Sequence, residues 1–375
     1  MASTPETAET GALAVKSPHR AQVRVALYRR RNRIFLFPWG PSGGILNVIR
    51  NQEESTMIDV AALGELLIDF TTLTRDGAGY PTMAAHPGGA PANFLAALSK
   101  FGAKTALLGK VGDDAFGHLL MRTLEAAGIE TRGLVVDPEV FTTLAFVTLD
   151  DSGDRAFSFA RKPGADTCLR FEELDLSLLD EARVFHFGTL SLTQEPARSA
   201  TRRAVAYAKS RGKLITYDPN LRKPLWADLR EAKEQLCWGL SQADVVKISD
   251  EEVAFLFGLS PKAGADYLLR TYGVKLVFVT CGANGCYFRS PQAAGWVPSL
   301  TGIQVADTTG AGDIFGGSAV WKLLELDKAP ESLTAEELRD IAAFATAAAG
   351  LSTTKPGGIS CVPEQEAVLR QIAQI

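Results

Sequence analysis

The run Asp307-Thr308-Thr309-Gly310-Ala311-Gly312-Asp313 sets three small residues directly before a carboxylate, and Ile314-Phe315-Gly316-Gly317-Ser318 leads on into a segment suited to a helix. A turn dense in glycine and alanine lets unpaired backbone N–H groups converge at a helix start, where the positive dipole end favours an anion. Such a turn can hold a phosphate. Asp313 conflicts with that use, because a carboxylate repels a phosphate unless it acts as a base or works through a metal. The conflict points to catalysis at Asp313. The plainer reading is a glycine-rich turn in which Asp313 is an ordinary helix N-cap.

Other residues able to do chemistry fall where strands should end. Ile58 to Gly64 reads as a buried strand, and the extended run Glu65 to Phe70 delivers Asp69. Gly88-Gly89-Ala90-Pro91-Ala92-Asn93 leads into a helix that Pro91 can start and Gly102 can stop. Later strands end near Asp218 and Asn220, carry Lys247, and finish at Thr280. Strands alternating with amphipathic helices predict a mostly parallel sheet covered on both faces, with ligands bound beyond the carboxyl ends of the strands. Taken singly, each of these residues can be a turn or solvated position. Their arrival at one edge predicts a site. Leu144 to Leu149 and Arg155 to Ala160 flank Asp150 to Asp154, a hairpin signal that predicts a small β lid on the α/β body.

Composition bounds the reading. With 375 residues, 46% hydrophobic and 22% charged, the chain can bury a large core. Residues 1–56 hold eight basic and four acidic side chains, whereas the remainder holds 31 and 39. An acidic body argues against a nucleic-acid surface. The first 56 residues lack helical or strand periodicity and read as a disordered or non-native extension, with Met57 as the expected native start. Residues 57–375 carry no linker that would divide them. Five scattered cysteines without a CxxC pair suit a reduced, cytoplasmic protein without zinc. No apolar run approaches the ~20 residues that span a bilayer. The four histidines form neither metal spacing nor triad, and His186 in an apolar strand reads as a core residue.

Gly88 to Asn93 and Asp307 to Gly317 match, in order and separation, the two motifs of the ribokinase-like (PfkB) carbohydrate kinases, and the chain resembles that family from Ile58 onward. Asp218 to Arg222 with Trp226, Gly188 to Leu192 with Glu195-Pro196, and Arg161 ahead of Ala165-Asp166 look like its fructokinase branch. The resemblance implies a ribokinase-like three-layer sandwich, with lid segments near 70–85 and 141–160. It implies ATP-dependent phosphorylation of a sugar's primary hydroxyl, fructose giving fructose 6-phosphate, or alternatively 2-keto-3-deoxygluconate or ribose; a catalytically silent binding homologue is the further alternative. Asp313 would be the general base, and the amides of Gly310, Ala311 and Gly312 would face the transferring phosphate. Asp69, Gly88, Gly89, Asn93 and Arg161 would bind the sugar. Lys247, Thr280, Gly282, Gly285 and Thr346 would bind the nucleotide. Glu252 would hold Mg²⁺ through water, with Ser249 standing where Asn is frequent. Asp307 and Thr309, with the loop 355–358, would offer backbone oxygens to K⁺. Some members of the family dimerise through the lid.

Overall fold

The computed structural model describes residues 57–149 and 155–372 and, within residues 1–56, three strands: β1 (Ala12–Ala14), β2 (Arg24–Arg30) and β3 (Arg33–Trp39). These three form an antiparallel sheet, which the sequence reading did not foresee. The rest of the expectation for residues 1–56, and the turn Asp150 to Asp154, lie outside the described residues.

Thr56–Ile375 forms a compact unit of its own. It begins with β4 (Val60–Leu63), β5 (Leu67–Arg75), β6 (Pro81–Gly88), α1 (Ala90–Lys100), β7 (Thr105–Gly112) and α2 (Ala115–Ala126). Two short strands, β8 (Ile129–Glu130) and β9 (Leu134–Asp137), precede the hairpin of β10 (Leu144–Leu149) and β11 (Arg155–Ala160). Then follow α3 (Leu176–Glu181), β12 (Val184–Gly188), α4 (Ala197–Ser210), β13 (Leu214–Asp218), α5 (Leu229–Gln242) and β14 (Val245–Ser249). Helices α6 (Asp250–Phe257) and α7 (Pro261–Tyr272) lead to β15 (Leu276–Thr280), β16 (Cys286–Arg289) and β17 (Ala294–Val297). The unit closes with α8 (Ala311–Leu326), α9 (Ala335–Ser352) and α10 (Gln365–Ile372).

The large sheet has the order β17-β16-β15-β14-β13-β12-β4-β7-β8, with β9 also paired to β7. From β7 to β15 it is parallel, and β16 and β17 add an antiparallel edge. Side chains alternate between its faces, as the strand period of two requires. Ala61 and Leu63 pack with Phe185, Ile215 and Val246 under α3 to α7. Val60 and Ala62 pack on the other face with α1, α2, α8, α9 and α10. This is the three-layer sandwich that the resemblance implies.

The small sheet has the order β11-β10-β5-β6. Strands β10 and β11 keep the bounds read from the sequence, and β5, running on to Arg75, and β6 fall where the resemblance implied a lid segment near 70–85, although no strand was read there from the residues themselves. Threonine-rich, half-exposed strands such as Phe70-Thr71-Thr72-Leu73-Thr74 lack a strong apolar alternation, and pairing with β10 is what orders them. Among the described residues, no helix is long and apolar enough to cross a membrane.

Candidate active site

Helix α8 starts at Ala311, with Gly310 as its N-cap at φ 75°. Glycine suits that left-handed conformation. Asp313 therefore sits inside the first turn and is buried, so it is not the N-cap of the plainer reading. The Gly312 N–H falls among the donors that a helix start leaves unpaired. The Ala311 N–H instead donates to the Thr308 carbonyl at 3.3 Å, closing the turn, so the expected trio of free amides is incomplete. Asp307 braces the turn: its Oδ1 accepts from the Thr309 N–H (3.0 Å) and hydroxyl (2.8 Å), and its Oδ2 accepts from the Gly357 N–H (3.2 Å).

Asn93 Nδ2 donates to Asp313 Oδ2 at 2.9 Å. The amide is wedged between two glycines, since a Cβ on Gly358 would fall 2.1 Å from Asn93 Oδ1 and one on Gly310 would fall 3.2 Å from its Nδ2. The sequence reading assigned Asn93 to a sugar hydroxyl; its amide nitrogen also holds the carboxylate, while its Oδ1 has no hydrogen-bond partner in the protein. Burial pushes the Asp313 carboxyl above its usual range, while Lys247 and the Asn93 bond act against the shift. Lys247 Nζ is 2.9 Å from Asp218 Oδ2 and would lie 2.8 Å from a Cβ on Gly312. Burial opposes the charge on Lys247, yet Asp218, Glu252 and Asp313 together hold it above the usual lysine range. Burial raises Asp218 to about 7 even with Lys247 beside it. His186 stacks on Phe94 at 3.7 Å, bonds Thr216, and is pushed down to about 3 by burial, so it is a neutral core residue.

Two cavities meet at this turn. The first, about 620 Å³, is lined by Asp69, Gly89, Asn93, Lys247, Glu252 and Asp313 among others. Burial raises the Asp69 carboxyl to about 6, with Arg222 pulling it down and Asp313 and Asp307 pushing it up. Gly88 makes room for that carboxylate, because a Cβ there would fall 2.6 Å from Asp69 Oδ2. Gly89, at φ 117°, lies where a Cβ would meet the Glu65 carbonyl at 2.4 Å. The tight approaches at this pair are thus to the protein's own oxygens, whereas the sequence reading assigned that closeness to a sugar ring.

Sequence reasoning missed Glu65 and Arg222, which also line this cavity. Glu65 is buried, and its Oε1 accepts from the Ala90 N–H at 2.9 Å, capping α1, whose N-cap Gly89 has no side chain to do so. Burial raises the Glu65 carboxyl to about 7. A lone acid inside the apolar run Ala61 to Leu67 is the signal that could have found it. Arg222 stood only as part of a subgroup mark.

The second cavity, about 460 Å³, is lined by Gly282, Gly285, Leu300, Ile303, Phe315 and Thr346 among others, and shares Thr280, Thr308 and Gly312 with the first. Gly285, at φ 96°, permits a close approach: a Cβ would fall 2.1 Å from the Val297 carbonyl. Thr346 Oγ1 is buried without a hydrogen-bond partner.

Arg161 does not join this group. It lies just past β11, 2% exposed, and donates to Asp166 (2.9 and 2.7 Å), Thr193 Oγ1 (2.8 Å) and the Leu190 carbonyl (3.0 Å). A guanidinium so engaged is a buried brace and not the sugar or phosphate ligand expected of it. Ser249 and Glu252 form the capping box of α6, with the serine hydroxyl accepting from the Glu252 N–H at 3.1 Å. Capping explains why serine serves there.

Residues 57–365 match the family model described as pfkB family carbohydrate kinase. The chain is 41% identical over 323 residues to probable fructokinase-4 of Arabidopsis thaliana, covering 85% of this chain and 97% of that protein. It is 41% identical over 318 residues to fructokinase-1 of Zea mays, covering 84% and 97%. The solved fructokinase of Xylella fastidiosa with bound ATP superposes with a TM-score of 0.77 at 30% identity, covering 84% of this chain and 98% of that one. The Vibrio cholerae O395 fructokinase bound to fructose, ADP and calcium gives 0.75 at 31% identity, covering 84% and 99%. With both motifs gathered at one turn and the family model matched over most of its length, this chain belongs to the pfkB family of carbohydrate kinases.

Proposed function

We propose that this chain transfers the γ-phosphoryl group of ATP to the primary hydroxyl of fructose, giving fructose 6-phosphate and ADP. The observation that carries the reading is the meeting of two cavities at the Thr308 to Gly312 turn, with Asp313 on the first of them. The sugar occupies the first cavity and the nucleotide the second. The sugar hydroxyl oxygen forms the new bond to the γ-phosphorus as the bond to the β-phosphate oxygen breaks, and Asp313 takes the hydroxyl proton. Its raised pKa makes it a better proton acceptor, while Lys247 and Asn93 favour its ionised form. Asp69 and Arg222 orient the sugar. The Gly312 N–H and Lys247 face the transferring group, where positioning and charge neutralisation do most of the work. The small sheet acts as the lid, with Val147 and Phe159 lining the sugar cavity and excluding water.

Among the described residues, no cluster of three or more His, Cys, Asp or Glu could enclose a metal. Glu252 fits a looser role for Mg²⁺. Its oxygens accept from the Leu221 N–H (2.7 Å) and the Ser249 N–H (2.8 Å), which leaves each a further lone pair for a metal-held water. Mg²⁺ keeps several waters and leans on substrate phosphates, whose charge it neutralises. The proposal extends to K⁺ at the backbone oxygens of Asp307 and Thr309, supported by the Asp307–Gly357 bond that fastens the 355–358 loop to the turn. It also extends to a kinase domain over residues 57–375, to a cytoplasmic setting, supported by five free cysteines, and to pairing of two copies through the small sheet, where Leu73 and Tyr80 are exposed.

An ADP-release assay across fructose, 2-keto-3-deoxygluconate and ribose, with and without K⁺, tests the reading. Fructose is expected to give the highest kcat/KM; a better turnover of another sugar overturns the substrate, and no turnover of any overturns the kinase.

A further inference from the structure

The second cavity carries no side chain whose hydrogen-bonding sense is fixed. Its lining consists of glycine, alanine, leucine, isoleucine, valine, phenylalanine, serine and threonine, without a carboxamide, a charged group or a ring nitrogen. A pocket that selects one purine needs a donor or acceptor that the wrong base leaves unpaired, and that penalty is the source of strong discrimination.

Thr346 is the exception in placement. It lies on α9, 6% exposed, with its hydroxyl buried and unpartnered. Several helical hydroxyls among the described residues satisfy themselves on a carbonyl: Thr123 on Leu119 (2.8 Å), Thr201 on Ala197 (2.8 Å) and Ser318 on Ile314 (2.6 Å) four residues back, and Ser352 on Ala349 (2.7 Å) three back. Thr353, another hydroxyl of this lining, donates to the Gly350 carbonyl at 2.7 Å. Thr346 departs from that habit at the wall of the cavity. A buried hydroxyl left unpaired is costly, so its partner arrives with the ligand.

A hydroxyl rotates and both donates and accepts. It can accept from the exocyclic amine of adenine or donate to the carbonyl oxygen of guanine, with Leu300, Ile303 and Phe315 contacting either ring. We infer that the base pocket accepts guanine as well as adenine nucleotides, with the Thr346 hydroxyl as a partner of either sense, so that GTP serves as a second phosphoryl donor. This rests on the second cavity being the nucleotide site.

Titration calorimetry of the full chain with the non-hydrolysed analogues of ATP and GTP tests it without requiring turnover. The affinities are expected to lie within about tenfold of each other, the range an apolar pocket can distinguish. A preference for the ATP analogue above about 100-fold overturns the inference. Thr346→Val, nearly isosteric, is expected to weaken both analogues alike by about fivefold, the loss of one hydrogen bond, while the melting temperature of the free chain holds or rises, since the unpaired hydroxyl is gone. A loss confined to one base, or none for either, overturns the role of Thr346; should the variant fail to fold, the wild-type ratio still decides. Kinetics on the same chain separate the two claims, because binding of both analogues without turnover of any sugar removes the kinase reading and leaves the base pocket standing.

Discussion

Asn93 Nδ2 donates to Asp313 Oδ2 at 2.9 Å, and this one bond joins the first turns of α1 and α8 across 220 positions of the chain. The two motifs of the sequence are thereby one device, in which the first holds the carboxylate of the second.

Replacing Asn93 by Ala removes a bond that favours the ionised carboxylate. The Asp313 pKa should rise further, and because the base works ionised, the acid limb of the kcat profile should move to higher pH. The expected shift is about half to one pH unit, the worth of one hydrogen bond. A pH–rate profile checks it, and an unmoved limb would separate Asn93 from the base.

Asp313→Asn keeps shape and hydrogen bonding but cannot take a proton. Expected is a fall in kcat of about 10²- to 10⁴-fold with nucleotide affinity nearly unchanged, read by steady-state kinetics and calorimetry. Near-normal turnover would remove Asp313 from the mechanism.

Gly88→Ala places a methyl 2.6 Å from where Asp69 Oδ2 now sits. The carboxylate must move, and small misplacements of a positioning group are expensive. The sugar KM should rise by about tenfold or more while the ATP KM holds. An equal change in both would point to a general loss of fold.

Arg161→Ala leaves buried Asp166 with the Thr143 hydroxyl but without its cationic partner. The expected loss is about 3–5 kcal/mol of stability, because an uncompensated buried charge is costly. Urea denaturation measures it. A normal midpoint with a raised sugar KM would return Arg161 to the substrate.

Much of the fold was legible because burial writes itself as pattern. Strands β12 to β15 and helices α4 to α9 show apolar periodicity strong enough to give their bounds within a few residues. The small sheet was harder: β5 and β6 are half-exposed, so their order comes from pairing of β5 with β10 on one side and β6 on the other, and pairing between segments leaves little trace in either. The site divided in the same way. Asp313 and its glycine turn announce themselves by a charge among small residues, and Asp69 by a charge at the end of an apolar strand. Glu65 leaves only the fainter signal of a lone acid in an apolar run, and Arg222 beside a turn leaves none, so only the folded chain brings them to the cavity.

Taken alone, the sequence determined the family, the alternation of strands and helices, and the candidate base, because motif spacing and burial periodicity are local properties of the chain. The tertiary structure decided what each polar group faces. It turned Asn93 toward Asp313, buried Arg161 against Asp166, Thr193 and the Leu190 carbonyl, and left the Thr346 hydroxyl open to a cavity, because a hydrogen bond depends on which atoms arrive within about 3 Å, and residues from separate elements settle that only when packed.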